Sequence, residues 1–352
     1  MNRYRLFHWV GPAACAAALA ISLSCSAAGG ANRPLRIGII GLDTSHVVAF
    51  TKLFNDPKAT GDLADMRVTA AYPGGSPDIE ASRSRVKGYT AALHDKFGVE
   101  IVDSIPELLA KVDVVLLESV DGRPHLNQAK PVFAARKPVF IDKPAAGSLA
   151  DVIEIFERAK RTRTPCFSSS SLRFNPPFQQ LLHDPKIGRI IGCDAYSPCS
   201  IEPHHPDLFW YGVHGVESLY TMMGPGCAQV TRAHTEGTDF VTGVWRDGRI
   251  GTFRGLRQGP HRYGLTVFGE KGIATVDRFQ GYAPLVRQIA RFFKTGVPPV
   301  KAEETIEIFA FMEAADASKR LGGRPVSVPE TLAKARVLVE ERLRRAASGR
   351  EQ

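Results

Sequence analysis

The chain has 352 residues, a length that suits two domains better than a single core. With 44% hydrophobic and 23% charged residues its composition is globular, which excludes a disordered or fibrous protein. A formal charge of +9 would suit an anionic partner, but no run of Lys and Arg alternates with aromatics, so a nucleic-acid site is not expected.

Met1 to Ala28 reads as a segment outside the fold. Arg3 and Arg5 give a positive start, Trp9 to Leu23 is mostly apolar, and Ser26-Ala27-Ala28 offers small residues for cleavage. That order is the signature of a secretory signal, and it predicts an exported, periplasmic or extracytoplasmic protein. The apolar run is shorter than the ~20 residues of a membrane-spanning helix, and Pro12 interrupts it. Tyr4 separates the two arginines, so this is not a twin-arginine signal. Cys25 is a candidate acceptor for a lipid anchor, as the alternative to simple cleavage. Six cysteines are present, and Cys15 leaves with the signal. Cys166, Cys193, Cys199 and Cys227 remain where disulfides are permitted. Cys193 and Cys199 are close enough in sequence to pair, while four scattered thiols equally suit separate buried residues.

The folded part opens at Pro34 to Phe50. A short apolar strand around Ile37, Ile39 and Ile40 stops at Gly41, and a helix starts after Asp43, Thr44 and Ser45, residue types that cap helix starts. Strand, glycine turn and helix N-terminus form a ready anion site. Further strands are predicted at Met66–Tyr72, closed by Pro73-Gly74-Gly75, and at Val112–Val120, Lys137–Ile141 and Pro165–Ser171. Helices are predicted between them at 82–97, 126–136 and 149–161. Continuous apolar strands interleaved with helices mean a parallel sheet covered on both faces.

The pattern changes after Pro176. Strands at 188–196, 228–233, 240–245, 250–254 and 263–268 follow without helices between them, and Asp247-Gly248 is a hairpin signal. These imply an antiparallel sheet. Helices at 282–295, 303–321 and 330–347 close the chain, with Val326-Ser327-Val328 as an edge strand. The predicted fold is α/β: an N-terminal Rossmann-like parallel sheet over 33–172, then an α+β domain over 173–328 with a large, mostly antiparallel open sheet. The signal peptide (1–28) precedes them, and a C-terminal helix and basic tail (329–352) follow.

Five stretches, in order, resemble the Gfo/Idh/MocA family of oxidoreductases, named for glucose–fructose oxidoreductase and inositol dehydrogenase. They are Ile37–Gly41, Asp113–His125, Asp142-Lys143-Pro144, Arg173-Phe174-Asn175-Pro176, and the closing stretch from Tyr282 to Val328. The resemblance implies a nicotinamide cofactor, NAD or NADP, and a small sugar or polyol substrate. It implies a homo-oligomer paired through the open sheet. It assigns catalysis to Lys143 and His214 and cofactor contacts to Gly41, Asp43, Thr44, Ser45, His46, Ser119, His125, Asp142 and Lys143. Substrate contacts fall to Arg173, Trp210, Tyr211 and His214. An ammonium such as that of Lys143 can orient a hydroxyl or exchange a proton with it.

Two departures bear on that reading. The family turn is Gly-x-Gly-x-x-Gly, whereas Asp43 and His46 occupy the second and third glycine positions here. The second glycine lets backbone approach a pyrophosphate, and a carboxylate there would face two phosphate charges. Ser76, Asp78 and Arg83 are the only polar candidates near a ribose. In Trp210–Glu217, Trp210 stands where the family has the Asp that assists the His, and indole cannot accept a proton. No metal site is expected, because Glu202, His204, His205, Asp207 and His214 have irregular spacing. Two functions remain open: a nicotinamide-dependent sugar or polyol oxidoreductase, with transient redox in glycoside cleavage as a variant, or a cofactor-free carbohydrate-binding protein on the same fold.

Overall fold

A computed structural model describes residues 33–348. The predicted signal peptide and Cys25 lie outside the described residues. No helix among those described is long and apolar enough to cross a membrane.

Strands β1 (Leu35–Ile40), β2 (Met66–Tyr72), β3 (Glu100–Ile101), β4 (Val114–Leu117), β5 (Val139–Ile141) and β6 (Cys166–Ser168) form the first sheet. Every pairing is parallel, in the order β3-β2-β1-β4-β5-β6. That is the doubly wound order whose ligands sit at the strands' carboxyl ends. The helices α1 (Ser45–Phe54), α2 (Glu80–Arg83), α3 (Val86–Phe97), α4 (Ile105–Lys111), α5 (His125–Ala134) and α6 (Leu149–Thr162) connect these strands. Strand β4 is shorter than its apolar run because Glu118 to Val120 leave the ladder at the ligand end. The helix expected from Ser82 is broken at Ser84-Arg85 into α2 and α3.

Past α7 (Pro176–His183) the chain enters β7 (Ile190–Pro198), then α8 (Asp207–Trp210) and α9 (Val213–Met223). It continues through β8 (Cys227–His234), β9 (Thr238–Trp245), β10 (Ile250–Leu256), β11 (Gly264–Gly269) and β12 (Ile273–Val276). The ending is α10 (Ala283–Thr295), α11 (Ala302–Arg320), β13 (Val326–Ser327) and α12 (Val328–Ala347). The second sheet runs β12-β11-β7-β10-β9-β8-β13, and only its β7–β10 pair is parallel. Gly248 takes a positive φ of 85° in the β9–β10 hairpin, as its Asp-Gly signal predicts. Strands β3 and β12 and helices α4 and α7 escaped the sequence reading, and α8 and α9 interrupt the run of strands expected without helices. The four cysteines are buried free thiols, so Cys193 and Cys199 do not pair.

Two cores hold the halves together. Helix α10, although late in the chain, shares a core through Leu285, Val286 and Ile289 with Phe50 of α1 and with Phe140 and Phe167 of the first sheet. Helix α9 is buried along its length and lies close against β7 and β10. Gly215 permits that approach, since a Cβ there would lie 2.2 Å from Phe253 Cε2. Gly215→Ala should therefore lower stability by about 1–2 kcal/mol, overpacking outweighing the gain in helix propensity. Urea unfolding of the two proteins checks it.

Candidate functional site

A cavity of about 470 Å³ opens at the carboxyl ends of the first sheet's strands, within the size range of small-molecule sites. Thr44, Ser45 and His46 reach it from the start of α1, Val120 from the loop after β4, and Lys143 from the loop after β5. Ala81, Arg85 and Tyr89 border it from the stretch around α2 and α3. The second half contributes Trp210, Tyr211, His214, Tyr263, Phe279 and Tyr282. The structure thus gathers Lys143, His214, His46, Thr44, Ser45, Trp210 and Tyr211 around one space.

His46 is held by a partner 96 positions away: its Nδ1 donates to Asp142 Oδ2 at 2.6 Å, with both side chains buried. Asp142 also accepts the Lys143 amide. Burial alone would raise the Asp142 pKa, but His46 and Lys143 bring it down to about 2. An ionised carboxylate can only accept, so the shared proton sits on His46 Nδ1. The ring stacks on Phe50 and meets the edge of Tyr282. The Lys143 side chain is only 7% exposed, and its ammonium has no hydrogen-bond or ion-pair partner among the described residues. Behind it Glu118 is fully buried, with neither carboxyl oxygen hydrogen-bonded among the described residues. Burial, then Asp142, push its pKa well above the usual range against the pull of Lys143, which favours its protonated form.

His214 pairs through Nδ1 with Ser170 Oγ at 2.7 Å. Burial first, then the charges of Lys143 and His46, hold its pKa well below the ordinary imidazole value, so it is neutral at pH 7. Trp210 gives it no help. The chain breaks between α8 and α9, and the indole packs on His205 instead. Glu217 is taken by Ser169, Ser170 and Arg173.

Other sequence candidates stand away from the cavity. Arg173 bridges Glu217 and Glu304 and braces the lobes rather than touching ligand. His125 is fully buried, with its ring nitrogens at the Ser119 and Ala145 carbonyls. Ser119 donates to Gln128. The residues weighed for a metal do not converge: His205 goes to Asp121, His204 to Glu202, and Asp207 to Arg232 and Lys319. The sequence reading missed Arg85, Tyr89 and Tyr263, which lie in stretches that carry no motif, and it did not single out Tyr282 at the start of the closing stretch.

The glycine turn is closed over. Gly41, at φ 88°, packs on Ser119, and its amide donates to Tyr72 O while the Leu42 amide donates to Pro73 O. Asp43 is fully buried, its carboxylate accepting from Ser82 Oγ at 2.6 Å and from the Val120 amide at 2.8 Å. Burial raises its pKa against these bonds. Ser76 donates to Asp121, and Arg123 pairs with both Asp78 and Asp121. The strap from Pro73 to Arg85 is therefore laced to the turn and to the loop after β4.

Residues 35–170 match the family profile described as oxidoreductase family, NAD-binding Rossmann fold. The likeness to the Gfo/Idh/MocA family therefore extends over the first sheet and its helices. Similar folds include scyllo-inositol dehydrogenase from Lactobacillus casei with bound NAD(H) and scyllo-inositol, at 14% identity and TM-score 0.69, covering 84% of this chain and 100% of that one. A probable dehydrogenase from Thermotoga maritima is similar at 21% identity and TM-score 0.66, with 84% and 100% covered. GenD2 from gentamicin A biosynthesis, in complex with NAD, is similar at 18% identity and TM-score 0.67, with 84% and 96% covered. Among curated protein sequences there is no match. Against that profile's dinucleotide-binding fold the turn is the departure. The Gly41 and Leu42 amides are already engaged, the Asp43 carboxylate fills the second-glycine position, and the strap crosses the β1–β2 crevice. These residues do not fit the diphosphate of a dinucleotide in this conformation.

The Asp142 carboxylate should tie stability to pH with a definite sign. Its folded pKa is depressed, so its contribution is present above the unfolded value near 4 and is lost as pH falls toward 2. Asp142→Asn should cost on the order of 2 kcal/mol at pH 7, and the gap to the parent protein should close across that window. Denaturant unfolding at neutral and acid pH measures it.

Proposed function

We propose that this protein is an enzyme that moves protons on a carbonyl-bearing sugar, at the carbon beside the carbonyl, without a dinucleotide lodged in its crevice. One observation carries the reading. The turn a dinucleotide would approach is tied by Asp43 to Ser82 of the strap and to the loop after β4, while Lys143, His214 and His46 still line one cavity. Lys143 donates a hydrogen bond to the substrate carbonyl oxygen, which takes up the electron pair as the neighbouring carbon gives up its proton. His214, neutral at pH 7, is placed to accept a proton. Asp142 fixes the His46 ring, as the third member of a base pair orients its imidazole. The tyrosines and Trp210 supply hydroxyl donors and flat faces suited to a sugar ring. The Met1–Ala28 signal would place this activity outside the cytoplasm.

A second reading, oxidation of a sugar or polyol with NAD or NADP, is favoured by the matched family description and by the nearness of Lys143 and His214. It requires the strap to leave the crevice.

The two are separated by one set of measurements. Incubation with a panel of aldoses and ketoses in deuterated water should give solvent deuterium at the carbon beside the carbonyl by NMR, reduced about a hundredfold or more in Lys143→Met and His214→Gln. Titration with NAD and NADP should give no saturable change in Trp fluorescence. Saturable cofactor binding with substrate-dependent reduction of NAD or NADP would overturn the proposal in favour of the second reading.

A further inference from the structure

The walls of the cavity carry an uneven charge. None of the residues lining it is Asp or Glu, although acids make up 36 of the chain's residues. Two cations do line it, Lys143 and Arg85, and neither has a hydrogen-bond or ion-pair partner among the described residues. Lys143 is more than nine-tenths buried, and its ammonium feels the charge of Asp142 and borders Glu118 but makes no hydrogen bond or ion pair with either among the described residues. Glu118 is fully buried outside the cavity lining, and the other two nearby carboxylates are used elsewhere. Asp142 is taken by His46 and the Lys143 amide, and Asp43 by Ser82 and the Val120 amide.

The start of α1 faces the same space. This ten-residue helix has no acid in its first turn, and its cap is weak, with Thr44 Oγ1 accepting the His46 amide only at 3.5 Å. Ser45 and His46 amides at a helix start carry part of the positive end of the helix dipole. Its dipole and two unpartnered cations therefore act on one cavity. Arg85 stands at the break between α2 and α3, on the strap that closes the glycine turn. The same strap that shuts out a diphosphate brings a guanidinium to the ligand.

We infer that the cavity selects an acidic sugar, a polyhydroxylated molecule bearing one carboxylate or phosphate that docks between Lys143, Arg85 and the start of α1. Hydroxyls of the same molecule meet Tyr211, Tyr263 and the two histidines. This deepens the proposed function by naming its substrate class. It rests on the same cavity but not on turnover.

Calorimetry on the exported chain, with D-glucose, D-glucuronate and D-glucose 6-phosphate as probes, tests it. At least one acid should bind about tenfold more tightly than glucose, and the preference should fall about tenfold in Arg85→Gln. Whichever acid is preferred identifies the anionic group. Arg83→Gln is the control, since Arg83 is exposed, paired with Glu80 and outside the cavity. Raising the ionic strength should weaken the acid and leave glucose unchanged. Equal binding of glucose, an Arg85→Gln protein with its preference intact, or no binding of either acid at millimolar concentration would each overturn the inference. Failure of deuterium exchange with acid binding preserved would remove the enzyme and leave the charge selection standing.

Discussion

A carboxylate buried in the turn after β1 sets the terms for the rest of this molecule. Asp43 has no exposure to solvent, yet both of its oxygens are satisfied, one by a hydroxyl 39 positions later and one by an amide 77 positions later. Removing either donor would leave a polar group unpaired in the interior, which costs more than the bond itself contributes. Those two bonds fix the strap on one side and the loop after β4 on the other. The remaining ligand space is whatever they leave, namely the far end of the crevice where Lys143, His46 and His214 meet.

The chemistry of that space follows from how the sheet ends. Lys143 and Asp142 sit where β5 stops, and Glu118 sits where β4 stops, in the next strand of the same sheet. The side chains at these ends are therefore neighbours whatever their spacing in sequence. The second half of the molecule closes the space with α9 and the loops around Tyr263 and Tyr282, and it is held there by buried ion pairs such as Arg173 with Glu217 and Glu304. A buried pair of this kind contributes little net stability, but breaking it leaves a charge unpaired.

Much of the fold was legible in the sequence. Strand β2 falls on Met66–Tyr72 as read, because its apolar run is bounded by turn residues on the far side, and α6 begins at Leu149 where Ser148 caps it. The Asp-Gly hairpin and the edge strand at Val326 were readable for the same local reason. The site was only half legible. Lys143 and His214 carried motifs, but the pairing of His46 with Asp142 and of Asp43 with Ser82 joins residues far apart, and no local pattern encodes them. The strap read as a turn because Pro73-Gly74-Gly75 is turn chemistry. That it folds back over Gly41 depends on Ser76, Asp78 and Ser82 finding partners in other elements. Trp210 was expected beside His214 on one helix, and the break at Tyr211 turned it toward His205.

Asp121 receives Ser76 from the strap, Arg123 from its own loop, and His205 from the far lobe, with His205 and Asp121 shielded from solvent. Since Trp210 packs on that same His205, a single acid links the strap over the glycine turn to one wall of the cavity. The strap and that wall therefore share one anchor, and a change of charge at Asp121 would be felt at both.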